Sequence, residues 1–314
     1  MRLRTTTGTL IAGLAAAALV GCAAPAPIAD DGVISVVAST NVYGDLAATV
    51  GGDLVEVTSI IDDPFQDPHS FEADARVQLV LSKADIVVYN GGGYDTFVEQ
   101  LLASLDVPGQ AVLNAVELSP LDLEHSDVGG DDHDGHDHGA MNEHVWYDFE
   151  TVETVVDAIA SQLADLDPAN AGTYEANAES LASELERLRQ RTADIRSQHE
   201  GTGVAITEPV PLYLLEAVGL HNETPAAFSD SIEEGSEVSA TALNRTLRLF
   251  ADGSAALLVY NDQTTSPETQ ALLAAAESAG TPVVAVTELL PEGTDFVGWM
   301  DGILDDLESA LGQA

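Results

Sequence analysis

Two histidines and two glutamates stand where a folded chain could gather them around one cation. His69 closes the tripeptide Asp67-Pro68-His69, with Ser70-Phe71-Glu72 behind it, just past the apolar run Val55–Ile61. Pro68 stiffens the approach. A histidine at the end of a strand faces the crevice where α/β sheets take their ligands. His144 lies in Asn142-Glu143-His144-Val145-Trp146-Tyr147-Asp148, immediately before a helix. The two aromatics that follow it predict a packed turn rather than a solvated one. Glu208 and Glu288 end two segments that echo each other, Val204-Ala205-Ile206-Thr207-Glu208-Pro209-Val210-Pro211 and Val284-Ala285-Val286-Thr287-Glu288-Leu289-Leu290-Pro291. Each is a short apolar strand ending in Thr-Glu, which places a carboxylate at the carboxyl edge of a parallel sheet. His199 and His221 lack such surroundings and are read as structural.

Neutral imidazole nitrogen with anionic oxygen suits zinc, and also manganese or iron(II). Four protein donors fill a tetrahedral zinc shell and leave no position for substrate water, which favours capture over catalysis. A zinc-dependent extracellular hydrolase would need an open site and a general base. No His-Glu-x-x-His pair supplies them, so the chain is read as no enzyme. A second metal-prone feature is the segment 124–138. Its four histidines, His125, His133, His136 and His138, lie among six acidic residues without apolar periodicity. It is expected to be a loop that collects metal weakly, as an auxiliary to the main site.

Composition narrows the partners. Ten Lys and Arg against 53 Asp and Glu give a net charge of −43, which repels nucleic acid and attracts cations. The hydrophobic fraction of 45% over 314 residues is enough for a real core. A single cysteine excludes disulfide scaffolds and multi-cysteine metal sites. That cysteine, Cys22, follows a basic start, Met1-Arg2-Leu3-Arg4, and an Ala-rich apolar stretch ending Leu19-Val20-Gly21. The stretch is too short for a mature membrane span. It resembles the lipobox of bacterial lipoproteins, which implies cleavage before Cys22 and acylation of its thiol. The protein is therefore expected outside the cytoplasm, lipid-anchored to the outer face of the cell membrane.

The elements that must position these residues alternate. Val33–Ala38, Val55–Ile61 and Asp85–Tyr89 read as strands, with helices from Asn41, over Ala73–Lys83 and over Tyr94–Leu105 between and after them. The β-α-β order predicts a mostly parallel sheet flanked by helices. Asp167–His199 is long and charged, with Leu181, Leu185, Leu188 and Ile195 on one face. Asp167-Pro168 is expected to start it. At roughly 45 Å such a helix outspans one lobe and reads as a rigid connector. The α/β pattern then resumes over Gly203–Thr207, Leu212–Val218, Ala255–Tyr260, Pro267–Ser278, Val283–Thr287 and Asp295–Leu311. The expected organisation is a signal peptide at 1–21, a tether at 22–33, an N-terminal lobe at 34–165, the linking helix at 166–200 and a C-terminal lobe at 201–314.

Taken together, these motifs resemble the metal-binding lipoproteins of bacterial zinc/manganese ABC importers, the cluster A-I solute-binding proteins. The resemblance rests on Asp67-Pro68-His69-Ser70-Phe71-Glu72, on Glu143-His144-Val145-Trp146-Tyr147-Asp148, and on Thr207-Glu208-Pro209 leading into Tyr213–Leu220. It implies two α/β lobes joined by one long helix, with the metal bound in the cleft between them. It implies His69, His144 and Glu208 as three ligands. Glu288 falls where the family places an acidic fourth ligand, with Asp262 as the fallback. The implied role is a monomer that delivers metal to a membrane permease. The histidine-rich loop resembles an insert of zinc-type members and tips the expectation to zinc, with manganese as the alternative. A surface-adhesion role, also proposed for related lipoproteins, is compatible with import.

Overall fold

The apolar run that opens the folded part forms β1 (Ile34–Thr40), flanked on both sides by other strands. The computed structural model describes residues 32–63, 66, 68–69, 71–105, 107–121 and 141–313. Cys22, the leader, all but the end of the tether, and His125, His133, His136 and His138 lie outside the described residues.

In the first half β1 is followed by α1 (Asn41–Gly51), β2 (Val55–Ile61), α2 (Ala75–Leu81), β3 (Ile86–Tyr89), α3 (Thr96–Ser104), β4 (Ala111–Asn114) and α4 (Ala115–Leu118). The four strands are parallel in the order β2-β1-β3-β4. Two helices then follow, α5 (Phe149–Leu166) and α6 (Ala171–His199). The second half holds β5 (Gly203–Ile206), α7 (Leu212–Ala217), β6 (His221–Asn222), α8 (Ala226–Glu233), α9 (Ala240–Ala251), β7 (Leu258–Asn261), α10 (Pro267–Ala279), β8 (Val283–Val286) and α11 (Phe296–Leu311). Its sheet is again parallel, in the order β6-β5-β7-β8. The two sheets share one topology. In each, the chain steps from its first strand to one side and then crosses to the other, so ligands are expected beyond the carboxyl ends.

The long helix begins later than its sequence suggests. Pro168 disfavours helical backbone at the residue before it, and α5 stops at Leu166. Asp167 then holds the turn, accepting hydrogen bonds from Asn170 Nδ2 and Tyr174 OH. From Ala171 the 29 residues of α6 rise roughly 44 Å. Leu181, Leu185, Leu188 and Ile195 are all buried on its inner face.

Its arginines tie neighbouring helices to it. Arg189 reaches Glu153 of α5, and Arg187 binds Asp301 of α11 through two nitrogens. Arg191 spans Asp301, Asp305 and Glu308, while Arg196 donates to the backbone of Glu216 and Ala217. Four of the chain's ten basic residues are thus committed to this spine.

Residues Val33–Ala314 pack as one compact unit. A single hydrophobic cluster runs from Val36, Ile86 and Val88 of the first sheet, through the inner face of α6, to Val204, Ile206, Val259 and Val284 of the second. No described helix is long and apolar enough to cross a membrane.

Candidate metal centre

The strand ends bring imidazoles and carboxylates together from both sheets. His69 follows β2, and its ring meets the Tyr94 ring edge-on at 4.9 Å. His144 follows β4 and α4 by a longer route and is wholly buried, packed against Tyr94 and Trp146. The Oδ1 of Asn142 accepts from the His144 backbone N–H at 3.2 Å and lies 2.7 Å from its Nδ1. An amide oxygen can only accept, so Nδ1 carries the ring proton. Nε2 is the nitrogen left to face the site, and its lone pair becomes available to an ion once the imidazolium gives up its second proton.

Glu208 stands two residues past β5, and Glu288 likewise two residues past β8. They are 3% and 7% exposed. Asn261, at the end of β7, donates its Nδ2 to Glu288 Oε1 at 2.9 Å, and its side chain also hydrogen bonds Glu208. Gln263 Oε1 accepts from the backbone N–H groups of Glu288 and Leu289.

The pairing of His69 and His144 runs through a residue that the sequence did not single out. Glu233, the last residue of α8, puts Oε1 3.0 Å from His69 Nε2 and 3.3 Å from His144 Nε2. Among the described residues, His69, His144 and Glu233 form the one group whose donor atoms all lie within 4.8 Å of one another. Glu208 and Glu288 are buried neighbours that act on this triad through charge. Asp262, the fallback ligand, is exposed on the turn after β7.

The electrostatics bind the five residues into one cluster. Burial pushes the Glu208 carboxyl up to about 8, and the charges of Glu233 and Glu288 add to it. Burial also raises Glu288. For His144 burial acts to lower the pKa, but Glu233 above all, with Glu143 and Glu288, carries it up to about 9. His69 is raised in the same way, against its own burial, chiefly by Glu233. Burial works to raise Glu233, yet the two imidazoles hold it well below the usual carboxylate range. In the absence of an ion, protonated imidazoles and the Glu233 carboxylate compensate one another.

Several donor atoms nevertheless have no hydrogen bond of acceptable geometry: His144 Nε2, Glu208 Oε2, both oxygens of Glu233 and Glu288 Oε2. Buried polar atoms left unbonded are expensive. Nitrogen and oxygen donors in this number match what a divalent transition metal requires.

The turn that carries His144 is fastened to both carboxylate segments. Asn142 Nδ2 donates to the carbonyl of Pro209, next to Glu208, and the Tyr213 hydroxyl donates to the carbonyl of Asn142. Tyr147 donates its hydroxyl to the carbonyl of Thr287, next to Glu288. A separate cavity of about 350 Å³ opens between α1, α6 and the start of α11, walled by Asp45, Asn177, Glu184 and Asp295. It shares no residue with this cluster.

Comparison with known proteins agrees with the geometry. A family model described as the zinc-uptake complex component A, periplasmic, matches residues 36–310. The manganese-binding lipoprotein MntA of Halalkalibacterium halodurans is 28% identical over 193 residues, 59% of this chain and 58% of that protein. The iron-binding protein YfeA of Yersinia pestis is 27% identical over 154 residues, 49% of this chain and 46% of that protein. The matches thus span about half the length of these curated relatives. A crystal structure of ZnuA superposes with a TM-score of 0.69 at 22% identity, covering 89% of this chain and 99% of that one, which shows the shared fold.

Proposed function

The chain belongs to the family of periplasmic zinc-uptake component A, and from that premise we propose that it captures a divalent transition metal and hands it to the membrane permease of an ABC importer. The observation that carries this reading is the cluster itself. Two imidazoles gather with Glu233 from the end of α8, and Glu208 and Glu288 lie buried nearby past the ends of β5 and β8, with donor atoms left unbonded. His69, His144, Glu208 and Glu288 act as the core ligands of the ion, which is cargo. The relatives named for manganese and iron, and the family named for zinc, support a cargo from the divalent transition metals. Zinc rests on the histidine-rich segment 124–138, and manganese(II) on the carboxylates. Acylated Cys22 holds the protein at the outer membrane face, where a monomer docks on the permease.

A carrier differs from a zinc hydrolase in what its metal shell leaves open. Here two imidazoles and three carboxylates supply more donor side chains than a tetrahedral ion takes, which favours a filled shell over one that keeps an activated water. The test is the metal content of protein purified without added metal, beside that of His144→Ala. Wild-type protein should carry close to one transition-metal ion per chain, and the variant should lose it. Wild-type protein that neither carries nor takes up such an ion would overturn the reading.

A further inference from the structure

We propose that Glu233 is a fifth metal ligand, and that its carboxylate raises the site's affinity for manganese(II) relative to zinc. This rests on the metal-capture reading above and extends it to a residue on a helix, away from the strand ends that supply the other donors.

The geometry is that of a coordination shell already in place. An ion bonded at about 2.1 Å holds its donors about 3.0 Å apart at right angles and about 3.4 Å apart at tetrahedral angles. Glu233 Oε1 stands 3.0 Å from one Nε2 and 3.3 Å from the other. The ion therefore enters between these three atoms without requiring Glu233 to withdraw. Both Glu233 oxygens are buried without a hydrogen bond of acceptable geometry, and in the ion-free protein the two imidazoles are the groups that face the carboxylate.

The helix that carries it does not favour an acid at this position. Glu233 ends α8, where the helix dipole is negative and disfavours a carboxylate. The last turn of α8 carries no basic residue. Phe228 and Ile232 anchor the helix in an apolar cluster with Ala205, Leu258 and Tyr260 of β5 and β7. That anchoring fixes where Glu233 emerges, beside the ends of the strands that deliver Glu208 and Asn261.

The added ligand alters metal choice by number and by type. Zinc settles with four donors and favours nitrogen. Two imidazoles with Glu208 and Glu288 already satisfy it. Manganese(II) is the harder ion and is suited by carboxylates. Three carboxylates with two imidazoles give it an oxygen-majority, five-donor shell. Removing Glu233 thus takes away a ligand manganese uses and zinc does not need.

Chelator-competition titrations of manganese(II) and zinc on wild-type protein, Glu233→Gln, Glu233→Asp and His144→Ala separate the possibilities. Glu233→Gln keeps the shape of the side chain, and circular dichroism checks that the fold persists. Manganese affinity should fall by about tenfold or more, about 1.4 kcal/mol, while zinc affinity stays within the same order of magnitude. Glu233→Asp should recover part of the manganese affinity. X-ray absorption of the manganese-loaded wild type should lose one oxygen scatterer in Glu233→Gln. Manganese binding that is unchanged or tighter in Glu233→Gln would make Glu233 an internal stopper and overturn the proposal, as would equal losses for both ions. Retention of both metals by His144→Ala would instead bring down the underlying metal-capture reading.

Discussion

Acidifying the solution from pH 8 to pH 6 should weaken metal binding by roughly 10³- to 10⁴-fold. Two groups set the magnitude. His144 keeps its proton up to about 9, because Glu233, Glu143 and Glu288 outweigh the burial that acts to lower it. Glu208 keeps its proton up to about 8 through burial and the nearby charges of Glu233 and Glu288. Both must be deprotonated to bind metal, so protons compete with the ion. Affinity therefore climbs as pH rises and levels off once both groups have titrated. Over the stated range the two together contribute about 5 kcal/mol. A histidine and a glutamate with ordinary pKa values would change affinity only about fourfold over the same range. His69, raised against its own burial, adds in the same direction, whereas Glu233 is already ionised and adds nothing.

Competition titrations at fixed ionic strength give the slope, and calorimetry in buffers of different ionisation heat counts the protons. About two should leave per ion bound at pH 7. Glu233→Gln removes the anion nearest to His144 and should reduce the slope by about one proton. A change of less than about tenfold between pH 6 and pH 8 would refute the reasoning, since it would place both groups near their ordinary pKa values.

The same groups make metal-free protein less stable as pH rises. The stability from the raised His144 is full below its unfolded pKa of 6.5 and lost as pH climbs through about 9, and the buried Glu208 resists ionisation up to about 8. Thermal melts without metal should therefore shift down from pH 6 to pH 9, and added metal should reverse the trend. Asn142→Ala frees the His144 ring and cuts the bridge to Pro209; metal affinity should fall about 10- to 100-fold with the fold intact. Glu288→Ala should weaken binding strongly while the exposed Asp262→Ala should do little, and the reverse order would exchange their roles. Deleting residues 124–138 should remove weak extra binding events from a calorimetric titration and leave the tight site unchanged.

Much of this arrangement was legible in the chain because it sits at strand ends. His69 and Glu208 follow apolar runs whose boundaries are sharp, and His144 is marked by the aromatics behind it. Glu233 gave no such signal. It lies in Ile232-Glu233-Glu234-Gly235, which in a chain this acidic looks like any solvated helix end. Its place depends on Phe228 and Ile232 packing against β5 and β7, a contact with no local signature. The two-residue β6 and four-residue β4 were too short to stand out against turns. The start of α6 was misplaced because Asp167-Pro168 resembles a helix opening, whereas here the proline ends α5 and the helix waits for Ala171.

Burying three carboxylates beside one another opposes folding, yet the site exists before any ion arrives. Three features together account for this. Protonated imidazoles offset Glu233, and burial raises the Glu208 carboxyl to about 8 and also raises Glu288, which eases the crowding of charge. Asn261 and Gln263 hold the Glu288 segment by hydrogen bonds that do not involve metal. The turn carrying His144 is then tied to Pro209 and Thr287, so histidine and carboxylate segments from the two halves keep a fixed spacing. One core continuous through both sheets and α6 resists any wide separation of these parts. On the proposed reading an ion would find its ligands in place, and the work of binding would fall on expelling protons rather than on closing the protein. Preorganisation of this kind makes pH, more than large movement, the variable that sets how tightly the cargo is held.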